Sequence, residues 1–280
     1  MNNDSQPIRH SIHQFNIVTT LLSVLNRNDP NDTDFVLARY LLDNIRRLPE
    51  LSIYQVADDC FVSRSSVQRF IKTIGFESFT AMKDNVGEVT QHMQSFVQYT
   101  DHSDYRTYIK EQMGLMLENI NAMAEEQDLG RIARRIHHAR TCMMLSAEDS
   151  SGALHTFQQS MVLAGKLTRV VTNAPGNPDS LKKLTDEDML ITCSASGNYA
   201  LAVNDDIRDV KGYKVLVTLN RTLIFEPLYD SIFYLSRDVM PSSRRISAIR
   251  NIYTQYGIQY FLDLLYHVYF SLYQSECISE

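Results

Sequence analysis

The feature that most constrains the fold of this chain is an alternation that begins after Arg140. Short apolar runs appear at 142-CMMLS-146, 168-TRVVT-172, 188-DMLITCS-194, 213-YKVLVTL-219 and 231-SIFYLS-236. Between them lie helix-like stretches such as 152-GALHTFQQSMVLAG-165 and 199-YALAVNDDIRDV-210. Short apolar strands alternating with amphipathic segments predict a doubly wound α/β domain: a mostly parallel five-stranded sheet with helices on both faces.

Residues 1–85 have a different texture, that of short helices cut by polar breaks. Phe15, Val18, Leu21, Leu22 and Leu25 recur at helical spacing until 26-NRNDPND-32 stops them. Phe35, Leu37, Ala38, Leu41, Leu42 and Ile45 form a second stripe, ended at Leu48-Pro49. Helix is again predicted over 101–140, with a break near Gln127–Gly130, and over the aromatic tail 243–274. The tail is apolar on more than one face, which suits burial against its own domain and a second subunit together. The fold class is thus α + α/β, with an all-helical N-terminal domain. The divisions fall at 1–85, a helical linker at 86–125, and 126–280.

Charge singles out one of the helices. The chain is acidic, with 27 Lys+Arg against 33 Asp+Glu and a net charge of −6, yet Ser63–Phe76 carries three basic residues and no acid. Ser52 and Gln55 have capping-box spacing ahead of Ile53, Val56, Ala57 and Cys60. After a turn at Phe61-Val62, Ser63 caps a second helix whose Val67, Phe70, Ile71 and Ile74 form the packing stripe. Ser65, Gln68, Arg69 and Lys72 form the opposite stripe. Two helices joined by a short turn, with small Ala57 where they cross, describe a helix-turn-helix. In that motif the second helix enters the major groove and its N-terminal residues reach base edges. The predicted DNA contacts are Ser63, Arg64, Ser65, Ser66, Gln68, Arg69 and Lys72. By contrast, 131-RIARRIHHAR-140 reads as a helix that packs through Ile132, Ala133, Ile136 and Ala139 with its arginines solvated.

Four widely spaced cysteines, Cys60, Cys142, Cys193 and Cys277, form no CxxC pair and predict neither disulfides nor a zinc site. The expected setting is a cytoplasm, because no signal-peptide layout and no apolar run of membrane-spanning length occurs. The sequons at Asn31 and Asn220 carry no weight there. His10/His13 and His137/His138 have no metal-ligand spacing and read as surface residues. No metal, cofactor or membrane partner is expected.

The stretch 51-LSIYQVADDCFVSRSSVQRFIKTIGFESF-79 resembles the N-terminal domain of the RpiR/MurR family of bacterial transcriptional regulators. Ala57, Val62-Ser63, Ser66-Val67, Arg69-Phe70, Gly75-Phe76 and Phe79 carry the likeness; Phe61 stands where a small residue or glycine is common. The family joins this domain to a sugar isomerase (SIS) domain, a doubly wound α/β fold that binds phosphorylated sugars. On its own terms, Ser194-Ala195-Ser196-Gly197 ends an apolar strand and enters a helix, where backbone N–H groups favour anions. The run resembles the family's S-x-S-G-x-T, with Tyr199 in the threonine position, and Thr218 matches another ligand-side position. In place of the family's glycine-rich first loop stands Ser146-Ala147-Glu148-Asp149-Ser150-Ser151. The resemblance implies an effector site of Ser150, Ser151, Ser194, Ser196, Gly197, Asn198, Tyr199 and Thr218.

The resulting expectation is a regulator, not an enzyme: a homodimer or homotetramer on an inverted-repeat operator, governing carbohydrate genes and modulated by a phosphosugar. Two alternatives remain. One is a regulator whose SIS-like domain serves only as a dimerisation scaffold. The other is a sugar-phosphate isomerase with a helical appendage, for which Glu148 and His155 are the candidate bases.

Overall fold

The computed structural model describes residues 17–84, 103–147, 151–172, 178–237 and 252–277. Phe15, His10, His13, Glu148, Asp149, Ser150 and the start of the predicted tail helix lie outside them. The chain divides into two compact units between Gln94 and Ser95.

The first unit is helical: α1 (Ile17–Arg27), α2 (Thr33–Asp43), a 3-10 turn (Ile45–Glu50), α3 (Ile53–Asp59), α4 (Arg64–Thr73) and α5 (Phe79–Asp84). Its core gathers one stripe from each element, including Leu21, Leu37, Leu41, Leu48, Val56, Val67, Phe70, Ile71 and Met82. Of the stripe predicted for α1, Leu21 is buried while Leu22 is 42% exposed. Helix α4 ends with a residue in the left-handed conformation: Gly75 has φ +93, and Phe76 N–H returns to Ile71 O at 3.0 Å. Helix α3 ends the same way with Val62 N–H on Ala57 O at 2.9 Å, but the left-handed residue is Phe61, at φ +54. Both are Schellman turns, a motif that normally takes glycine at this position.

The second unit contains α6 (Tyr105–Glu126), α7 (Leu129–His138), β1 (Cys142–Leu145), α8 (Ser151–Leu163), β2 (Thr168–Val171), α9 (Pro178–Lys182) and β3 (Met189–Cys193). Then follow α10 (Asn198–Ala202), α11 (Asn204–Ile207), β4 (Tyr213–Thr218), a 3-10 turn (Leu223–Phe225) and β5 (Ser231–Tyr234). A π-helical turn (Tyr253–Gly257) leads into α12 (Ile258–Cys277). The sheet order is β2-β1-β3-β4-β5 and every pairing is parallel, so the expected mostly parallel sheet is wholly so. Both faces of the central strands are buried. Cys142, Met144, Ile191, Val215, Val217 and Phe233 pack with residues of α6, α7, α8 and α12. The alternate residues Met143, Leu145, Leu190 and Leu216 are equally buried, as are Leu181, Val203, Ile207 and Phe225.

Helix α6, most of which the sequence assigns to a linker, places Met116, Ile120 and Met123 in this core. In α7, Ile132, Ala133 and Ile136 are buried as expected. Its arginines are more committed than a solvated face requires. Arg131 donates to Ser231 Oγ at 3.1 Å, Arg134 pairs with Asp128, and Arg135 lies 4.3 Å above the Tyr213 ring. Cys142 and Cys193 are free, and burial pushes both thiols up to about 12, which leaves them inert. No helix of the described residues is long and apolar enough to cross a membrane.

Candidate functional site

In the first unit, two caps fix the start of each helix of the motif. Ser52 Oγ accepts Gln55 N–H at 3.1 Å while Ser52 N–H donates to Gln55 Oε1 at 2.9 Å, which completes the capping box. Ser63 Oγ accepts Ser66 N–H at 3.1 Å and lies 2.7 Å from Ser65 Oγ and 2.9 Å from Ser66 Oγ. The three serines form a hydroxyl cluster at the N-terminus of α4. Val67, Phe70 and Ile71 hold the helix down, and Ser65, Gln68, Arg69, Lys72 and Thr73 line a shallow depression on its outer face. Ser63, Arg64 and Ser65 are exposed beside it, and Ser66 is half-buried. Among the described residues Arg64, Arg69 and Lys72 enter no ion pair, so their charge is directed outward.

Tyr54 is a residue the sequence reading missed. It is 58% exposed on α3, and the Arg64 guanidinium lies 4.7 Å from its ring centre. The stack restricts Arg64 before any ligand arrives. On the other side of α3, the Tyr40 hydroxyl donates to Asp59, which pushes the phenol up to about 12 and ties α2 to α3.

In the second unit, the loops after β3 and β4 form one rim. Ser194 N–H donates to Val217 O and Leu219 N–H to Ala195 O, both at 2.9 Å, so the ladder continues past the strands. Gly197 has φ +82, and an added Cβ would lie 2.6 Å from Asn220. Asn220 Nδ2 donates to Ser196 O at 3.1 Å, and its Oδ1 accepts Thr222 N–H at 3.0 Å. Asn220 is thus a second missed residue, the brace between the loops. Ser194 Oγ accepts Ala200 N–H at 3.4 Å and Ser196 Oγ accepts Asn198 N–H at 3.3 Å; each hydroxyl keeps a proton to donate, Ser196 from a half-buried position and Ser194 from a buried one.

The other expected effector residues are less alike in position. Asn198 is exposed, whereas Tyr199 is 6% exposed and packs inward. Thr218 is fully buried, its hydroxyl donating to Ala195 O at 3.4 Å and accepting Asn220 N–H at 3.0 Å, so it braces the rim from beneath. Ser151 begins α8 and is half-buried. Ser150 and the candidate base Glu148 lie outside the described residues, and His155 is exposed on α8. No cluster of metal-ligating side chains occurs among the described residues.

Residues 21–92 match the family model of the helix-turn-helix domain, rpiR family. The N-terminal unit is therefore an RpiR-family helix-turn-helix domain. Comparison with curated protein sequences gives no match. Among solved structures, the chain is similar to the NanR protein of Vibrio vulnificus complexed with ManNAc-6P. The two are 16% identical over 93% of each chain, with a TM-score of 0.49. It is also similar to the sugar isomerase domain of an RpiR transcription factor from Sphaerobacter thermophilus, at 12% identity over 60% of this chain and 93% of that one, TM-score 0.46. At these scores the fold of the second unit rests on its own strand order and direction. That order, 2-1-3-4-5, reverses its direction of winding between the neighbours β1 and β3, and in such sheets ligands are expected outside the strand C-termini. In a helix-turn-helix the second helix is the one that enters the major groove, and α4 holds the second position here.

Proposed function

We propose that the protein is a DNA-binding transcriptional regulator of carbohydrate genes, active as a dimer or higher oligomer on an inverted-repeat operator. A phosphorylated sugar at the rim of the second unit modulates its DNA affinity. The observation that carries the reading is the outer face of α4, where Gln68, Arg69 and Lys72 project from an RpiR-family domain with no acidic partner among the described residues. Arg suits guanine and Gln suits adenine in bidentate contacts, while Ser and Lys hold phosphates and fix register. An otherwise acidic surface discourages indiscriminate binding. At the rim, Ser194 and Ser196 offer hydroxyl donors beside Gly197, whose missing side chain lets Asn220 brace the two loops.

Selection of genomic fragments by the full-length protein tests the first half. Enrichment of a two-fold symmetric motif supports the reading, and recovery of random sequence opposes it. Titration of that motif with hexose, pentose and amino-sugar phosphates tests the second half. A change in DNA affinity that Ser196→Ala abolishes supports a sugar-phosphate effector. One observation favours the scaffold alternative: both serine hydroxyls already serve the N–H groups of α10. Under that alternative no sugar phosphate changes DNA affinity, while light scattering on residues 101–280 still gives a dimer or larger.

A further inference from the structure

The serine loop offers only neutral donors, yet the same rim holds a charge. Arg221 follows β4, one residue beyond the brace Asn220. Its Nη2 donates to Ser236 O at 2.7 Å and to Arg237 O at 3.2 Å, just past β5. Its guanidinium lies 4.1 Å from the centre of the Tyr234 ring. Three contacts from the β5 side therefore hold the head group in one orientation. None of them is anionic. Three other arginines of this unit are paired with carboxylates: Arg140 with Asp188 at 2.6 Å, Arg134 with Asp128 and Arg208 with Asp205. Among the described residues no carboxylate lies within salt-bridge distance of Arg221. Its Nε is shielded from solvent and has no hydrogen-bond acceptor.

A shielded N–H on a full positive charge, left without an acceptor, is an unusual residue of unmet hydrogen bonding in a folded protein. The positive charge is therefore only partly compensated within the protein, and Nη1, which is not among the enclosed atoms, is the group left to meet an anion. In open parallel sheets small molecules sit beyond the strand C-termini, and Arg221, Ser236 and Ser194 follow three adjacent strands there. With both Nη2 protons taken by carbonyls, the arginine keeps its Nη1 group and its full positive charge, held in place, for a phosphate or carboxylate.

We infer that Arg221 is the charged anchor of an anion site on the β4–β5 side of the rim, binding the phosphate or carboxylate group of a small ligand. The inference rests on the small-ligand half of the function proposed above, and it moves the ligand's charge away from the serine loop. The serines then meet the neutral end of the same molecule.

The test uses the full-length protein with inorganic phosphate, glucose 6-phosphate, gluconate and glucose at constant ionic strength. Thermal denaturation is the readout, because a ligand of the native state raises Tm with concentration. Phosphate, glucose 6-phosphate or gluconate should raise Tm, and glucose should not. A response to phosphate and glucose 6-phosphate alone identifies a phosphate ligand, and one to gluconate alone a carboxylate. In Arg221→Gln the apparent affinity for the responding anion should fall at least tenfold. The nitrogen-15 spectrum of arginine Nε–H groups gives a second reading on the wild type. The resonance missing from Arg221→Lys should move on titration with that anion, and this holds even where Arg221→Gln fails to fold. An anion response equal in Arg221→Gln and wild type, or an Arg221 resonance that stays fixed while Tm rises, overturns the inference. If Ser196→Ala alone then removes the response, the effector reading survives with its anion at the serine loop. No response to any anion at about 50 mM, well above a millimolar Kd, overturns both.

Discussion

Replacing Gly197 with alanine should disable the rim, and the structure sets the size of the effect. Gly197 has φ +82, where an alanine costs about 1–2 kcal/mol. The new Cβ would stand 2.6 Å from both Asn220 Cβ and Nδ2, so the whole side chain must move rather than only its tip. Moving it forfeits the bonds to Ser196 O and from Thr222 N–H, each worth about 1 kcal/mol. Alanine restricts the unfolded chain and returns about 0.4–1 kcal/mol. The expected loss is about 2–4 kcal/mol. In an Asn220→Gly background the obstruction is absent, and the same substitution should cost only about 1 kcal/mol, a coupling of about 2 kcal/mol. Urea unfolding of the full chain by circular dichroism measures both, using the transition that Ser63→Ala, in the other unit, leaves unmoved. A loss below about 0.5 kcal/mol, or an equal loss in both backgrounds, refutes the close packing of the two loops.

Three further outcomes are expected. Ser63→Ala removes the α4 cap and should destabilise the first unit by about 1 kcal/mol in urea unfolding. Phe61→Gly relieves the left-handed residue that closes α3 and should stabilise that unit by about 0.5–1 kcal/mol, the strain less the entropy that glycine adds to the unfolded chain. Asp188 is 2% exposed and its Oδ2 accepts from Arg140 Nη2, Thr185 N–H and Thr185 Oγ1. Burial opposes the carboxylate, but the Thr185 and Arg140 bonds together prevail and hold its pKa below the usual range. A depressed folded pKa gives stability that is complete above the unfolded value, about 3.9, and is lost as pH falls through the folded one. Asp188→Asn should therefore be less stable than wild type by a constant margin above about pH 5, and the margin should shrink below about pH 4. A margin that persists to the lowest pH at which the protein folds would show that the charge contributes nothing.

The parts of this protein that sequence makes legible are those governed by local spacing. The stripe Val67, Phe70, Ile71 and its polar opposite declare the face of α4, and Ser52 and Ser63 declare its boundaries and those of α3. Five apolar runs suffice for the sheet because strands covered on both faces need no alternation. Helix α6 is harder: Met116, Ile120 and Met123 are spaced for burial but sit among Glu, Asn and Gln, and nothing local says which core receives them. The rim is legible only in part. Ser194–Gly197 is a loop after a strand and can be read as one, whereas Thr218 differs from a ligand-facing threonine only in what surrounds it. Tyr54, Asn220 and Arg221 act through partners 10, 24 and 15 residues away, respectively Arg64, Ser196 and Ser236. Such pairings exist only once the fold has formed.

The central claim is that the outer face of α4 reads DNA, and fluorescence anisotropy on the selected inverted repeat tests it most directly. Wild type, Gln68→Ala, Arg69→Ala and Lys72→Ala would be titrated across a range of salt concentrations. The account predicts that Arg69→Ala and Gln68→Ala each lose about 1–3 kcal/mol and tolerate a changed base at one position of each half-site. Lys72→Ala should weaken binding to every sequence alike and lower the salt slope by about 1. Affinity, sequence preference and salt slope unchanged in all three variants would contradict it.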